Sequence, residues 1–121
     1  MKPNIIFVIL DGSRFDRIYI SPEFCDLIKQ GTLLDNVTTA IPYTFGAINV
    51  ILTGEYGKEN GVDGFYKVSK LKKQVSFLPE ILQNEGYFTS RGLIRDEILS
   101  PRGFDFRKEY NEYEEDLNLR H

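Results

Sequence analysis

The sequence predicts an α/β fold, a mostly parallel sheet layered with helices, and three observations predict it. The first is the run Asn4-Ile5-Ile6-Phe7-Val8-Ile9-Leu10, apolar without a break after Asn4 and closed by Asp11-Gly12. A run of that length without alternation is the pattern of a central parallel strand covered on both faces. The second is the succession of helix signals and apolar stretches after it, an order that builds layered α/β sheets. The third is size and composition: 121 residues, 41% hydrophobic and 27% charged, bury one modest core and predict a single domain spanning residues 1–121.

Taken in order, residues 4–10 form the first strand, and Asp11 then lies at its carboxyl end, the edge where open α/β sheets place their ligands. As a bare dipeptide, Asp11-Gly12 is also an ordinary turn pair. A helix follows over residues 21–30, capped by Ser21, carrying Pro22 in its first turn and stopped by Gly31. Cys25 on that helix reads as a small core residue; a lone cysteine forms no internal disulfide. Residues 32–37 read as a strand.

Pro42 keeps the residue before it out of the helix, and residues 45–53 read as a helix closed by Gly54. Residues 55–75, with three glycines and the lysines Lys67, Lys70, Lys72 and Lys73, have no clear period and read as a long excursion with a solvated face. A helix over about residues 77–84, ended by Gly86, and a strand near residues 87–93 complete the order. The acidic tail from Glu109 to Asp116 holds Tyr110 and Tyr113, which either move with it or dock on the body.

Thr44 stands where the helix of residues 45–53 begins and reads as its N-cap. A capping hydroxyl contributes about 1 kcal/mol. The same position has a second meaning, because the free N–H groups and positive dipole of a helix start form an anion site. A hydroxyl beside that anion is a candidate nucleophile when a metal lowers its pKa.

With these residues in view, the chain resembles the sulfatase family of the alkaline phosphatase superfamily. The opening Lys2-Pro3-Asn4 through Asp11-Gly12-Ser13-Arg14-Phe15-Asp16 is similar to the strand that delivers a metal-ligating Asp there. The segment Ile41-Pro42-Tyr43-Thr44 through Leu52-Thr53-Gly54 resembles the nucleophile segment, in which a Thr-Gly pair follows the nucleophile by nine and ten residues. The intervening stretch from Ser21 to Val37, the segment Leu78-Pro79-Glu80 through Gly86-Tyr87, and Gly103-Phe104-Asp105 resemble further elements in the family's order. The resemblance implies an alkaline phosphatase-like sheet, here incomplete. It also implies metal-dependent hydrolysis of sulfate or phosphate esters, with Thr44 as nucleophile, Asp11 and Thr44 on a divalent metal (zinc, calcium or manganese), and Phe45 and Gly46 as substrate-binding N–H donors.

Where the family carries a Cys or Ser that becomes formylglycine, this chain has Thr44, with Gly46 and Ile48 in place of the family's Pro and Arg. Threonine cannot become formylglycine, so the resemblance leans toward relatives with a threonine nucleophile, among them phosphodiesterases and phosphoethanolamine transferases. Asn60 stands where the family has a His. The single histidine, His121, is terminal, and most of the family's metal ligands lie in a later half of the sheet. The chain therefore reads as the amino-terminal portion of such a hydrolase, inactive alone and holding metal weakly or not at all. The other class of reading is a non-catalytic remnant or partner-binding fragment.

Fifteen basic against eighteen acidic residues, a formal charge of −3, argue against a nucleic-acid partner. The run ending at Leu10 is too short to span a bilayer and lacks the pattern of a cleaved signal, so a cytoplasmic location without membrane contact is the expectation. The expected partners are a small anionic ester and, for the apolar surface an incomplete sheet exposes, a second copy or a complementary carboxyl-terminal half.

Overall fold

The computed structural model describes residues 2–64, 70–93 and 99–110. Among them it has mixed α/β character: a 3₁₀ turn at Phe15–Ile20, helices α1 (Pro22–Gln30), α2 (Thr44–Thr53), α3 (Gly57–Asn60) and α4 (Leu78–Asn84), and strands β1 (Ser90–Leu93) and β2 (Phe106–Glu109). The chain divides into two compact units, Met1–Thr38 and Thr39–His121.

In the first unit, α1 forms as its sequence dictates. Ser21 is extended and its Oγ accepts from Phe24 N at 3.4 Å while donating to Glu23 Oε2 at 2.6 Å. Pro22 sits in the first turn, where its missing N–H costs nothing. No residue of α1 is buried, and Cys25, half-exposed with its thiol 3.5 Å from Tyr19 O, is not the core residue expected.

The first strand departs from expectation. Residues 4–10 belong to no strand ladder among the described residues, and their side chains are exposed, Ile6 at 87% and Val8 at 70%. A parallel strand draws its backbone hydrogen bonds from neighbouring strands. The apolar run records a demand for cover on both faces; it does not supply the neighbours. The expected strand over residues 32–37 is likewise unassigned, with Leu34 and Val37 exposed.

In the second unit, α2 and α4 supply the helical layer. Ile48 and Leu52, one turn apart on α2, are buried with Phe77 and Leu99, and Leu71, Leu93 and Phe104 pack against this cluster. Phe77, fully buried, meets Phe104 edge to face with centroids 6.2 Å apart. The sheet lies here: β1 and β2 pair in parallel, with Ser90 opposite Phe106 and Leu93 opposite Glu109. Parallel strands need a connection of roughly a dozen residues, and Leu93 and Phe106 are separated in sequence by twelve.

The turn entering β2 is fixed from three sides. Arg102 lays its guanidinium against Glu80 as a fork, Nε to Oε1 at 2.8 Å and Nη2 to Oε2 at 2.5 Å, and donates to the carbonyls of Lys72 and Val75 at 2.9 and 3.0 Å. Gly103, at φ +69°, lies so close to α4 that a Cβ would stand 2.6 Å from the Pro79 carbonyl carbon. Asp105 accepts from Thr89 N at 2.8 Å and from Gln83 Nε2 at 2.6 Å. Those bonds, the Thr89 N–H foremost, hold its carboxyl below the usual aspartate range.

Candidate active site

Helix α2 begins one residue earlier than its sequence predicts. Tyr43, extended at φ −152° and ψ 150°, is the N-cap, and its carbonyl accepts the first helical bond from Ala47 N at 3.0 Å. Thr44 is thus the first helical residue, not the cap, and the Tyr43 side chain makes no capping bond. Pro42 keeps Ile41 out of the helix, and the packing of Ile41 and Tyr43 over Gly46 goes with Tyr43 staying extended as the cap. The N–H groups of Thr44, Phe45 and Gly46 lie ahead of the first intrahelical bond, at the positive end of the helix dipole. At its other end α2 closes on Gly54 at φ +70°.

The turn before Thr44 is packed down on the helix. Gly46 is buried because Ile41 and Tyr43 cover it: a Cβ there would meet Ile41 Cγ2 at 2.6 Å and Tyr43 Cε2 at 2.8 Å. The Tyr43 hydroxyl reaches Val62 O at 3.4 Å, and burial, with the Asp63 carboxylate second, holds that phenol above its ordinary range, so it remains a donor. Thr44 is half-buried and Phe45 lies at the edge of exposure. The structure therefore brings Thr44, Phe45 and Gly46 together on one helical turn.

Asp11 belongs to the other unit. It lies in an exposed turn with Gly12 at φ +71°, its Oδ1 accepting from Gly12 N at 3.0 Å. It follows a segment that pairs with no strand among the described residues, so the expected sheet edge is not found beneath it there. Among the described residues no group of three or more His, Cys, Asp or Glu side chains converges, whereas zinc or calcium takes roughly four to eight ligands. The described donors do not fit a divalent-metal site. His121, Lys67, Tyr113 and the acidic tail beyond Tyr110 lie outside the described residues.

The sequence singles out Asn60 only as the residue in place of the family's His and does not foresee its burial. Asn60 is fully buried, with Oδ1 accepting from Val62 N at 2.8 Å and Nδ2 donating to Glu55 O at 2.9 Å and lying 3.4 Å from Thr53 Oγ1. Asn60-Gly61 is a turn signal in sequence, and Gly61 does turn at φ +93°, but nothing local announces the burial. Lys72, grouped with the loop cations, is exposed but tied to the 57–61 turn: its N–H donates to Asn60 O and its Nζ to Lys58 O, both at 2.9 Å. A surface depression of about 380 Å³ is lined by Asp105, Phe106, Arg107 and Glu109 and holds none of the candidate site residues.

Comparison with protein-family models, curated proteins and solved structures finds no significant match to this chain. No helix among the described residues is long and apolar enough to cross a membrane.

Proposed function

We propose that the chain carries the nucleophile segment of a sulfatase-like hydrolase of sulfate or phosphate esters, with Thr44 in place of formylglycine. The observation that supports this most is the start of α2, where the Thr44 hydroxyl shares one turn with backbone N–H groups ahead of the first helical bond. In this reading Thr44 supplies the attacking oxygen, and the Phe45 and Gly46 N–H groups bind the oxygens of the transferred group. The order of motifs along the chain supports the same reading. The resemblance calls for a divalent metal, for which Asp11 is the one carboxylate assigned; the remaining ligands are not among the described residues, and no step is derived through the metal. Phosphodiesterase and phosphoethanolamine transferase chemistry use the same arrangement with different leaving groups.

The exposed apolar side chains of residues 5–10 favour a second reading, a fragment whose role is association with a partner. Titration of the 121-residue chain with inorganic phosphate and with sulfate, followed by amide NMR, separates the two. Saturable shifts of the Phe45 and Gly46 amides, weakened in Thr44→Val, support the hydrolase reading. Shifts confined to surface lysines, or none, count against it.

A further inference from the structure

We infer that Asn60 is a positioning residue for the start of α2, holding Thr44 in place through Val62, Tyr43 and Ile41. A buried carboxamide is costly unless bonded, and Asn60 spends its bonding capacity in two directions. Toward the end of α2, Nδ2 donates to Glu55 O at 2.9 Å and faces Thr53 Oγ1. The Thr53 hydroxyl in turn donates to Asn49 O at 2.6 Å and accepts from Glu55 N at 3.2 Å, so the helix terminus and the turn after it form one network. Toward its start, Oδ1 fixes Val62 N at 2.8 Å.

The carbonyl of Val62 is the relay. It faces the Tyr43 hydroxyl at 3.4 Å, and it presses on Gly57 so closely that a Cβ there would stand 2.6 Å from it. The same hypothetical Cβ would lie 3.3 Å from Ile41 Cδ1, and Ile41 covers Gly46 with no room to spare. Two glycines thus let Ile41 wedge between the residue 57–62 turn and the first turn of α2. Displacing Val62 moves Tyr43 and Ile41, the residues that set the path into Thr44. Asn60 therefore grips α2 at both ends, directly at the last turn and by relay at the first.

The consequence for ligand binding rests on the proposed role of Thr44, whereas the positioning is read on the chain's own amides. In the 121-residue protein, Asn60→Ala should move the amide signals of Thr44, Phe45 and Gly46 and speed hydrogen exchange at Ala47 N–H by about tenfold, the scale of one lost hydrogen bond. It should weaken inorganic phosphate binding by a similar factor. Asn60→Asp keeps the acceptor for Val62 N and loses the donor to Glu55 O, so it should perturb Glu55 while leaving the Thr44 turn near its native signals. Tyr43→Phe, which leaves Asn60 intact, should shift the same three amides as Asn60→Ala, and the two effects should not add. These two variants decide the matter if Asn60→Ala fails to fold.

Unchanged Thr44 to Gly46 signals in Tyr43→Phe and in folded Asn60→Ala would overturn the proposal. So would Asn60→Asp disturbing that turn more than it disturbs Glu55. If phosphate fails to bind the unsubstituted protein while the variants move these amides as expected, the hydrolase reading falls and the positioning role stands.

Discussion

At the scale of single residues, the turn entering β2 offers the sharpest tests. Gly103 combines a left-handed φ with backbone contact to α4, so neither conformation nor space admits a side chain. Gly103→Ala should lower stability by about 1–3 kcal/mol, more than Gly54→Ala at a similar φ with open space around it, as urea unfolding would measure. Asp105 gives a pH signature. Its folded pKa is depressed, first by the Thr89 N–H, so its stabilisation is fully present above the unfolded aspartate value of about 3.9 and is lost as pH falls through the lower folded value. Asp105→Asn should flatten that acid limb of the stability curve while leaving its slope near neutrality unchanged; a limb that keeps its full steepness would show that another carboxylate sets it.

At the scale of elements, what the sequence made legible was what is local. Ser21-Pro22 at one end and Gly31 at the other delimit α1 because capping involves neighbours within one turn. Gly54 and Gly86 marked the ends of α2 and α4 for the same reason, the latter turning at φ +78°. The start of α2 was misplaced by one residue, since the choice between Tyr43 and Thr44 as cap depends on how Ile41 and Tyr43 pack over Gly46. Strand β2 left no sequence signal: Phe106-Arg107-Lys108-Glu109 has one apolar residue and no alternation, all four are exposed, and its pairing with β1 is non-local. The candidate site followed the same division. Thr44, Phe45 and Gly46 were legible as one turn, whereas Asn60 needed the tertiary fold. Arg102 tests this reading, because its fork to Glu80 and its two carbonyl contacts require a planar guanidinium. Arg102→Lys keeps the charge but should still lose about 1–3 kcal/mol, measured by thermal unfolding.

For the whole molecule, the contrast between its units matters most. The second has a small core around Phe77, and the first, among its described residues, buries none of its large apolar side chains. Exposed apolar side chains at six successive positions, 5–10, in a segment paired with no strand among the described residues are a template for pairing with another chain. Sedimentation velocity should therefore show concentration-dependent association, and replacing Ile6 and Val8 with Lys should return the chain to monomer. A monomer at all concentrations before substitution would show that this segment is satisfied within the chain.

The Arg102 clamp also has a consequence in time. Its partners Lys72, Val75 and Glu80 lie 30, 27 and 22 residues away along the chain, so each contact closes a long loop. Closing those loops costs entropy before the contacts form, and an interaction made only after the rate-limiting barrier slows unfolding without speeding folding. Arg102→Ala should then leave the refolding arm of a chevron plot nearly unmoved and raise the unfolding rate instead, so the guanidinium acts as a latch on the lifetime of the native state more than as a guide toward it.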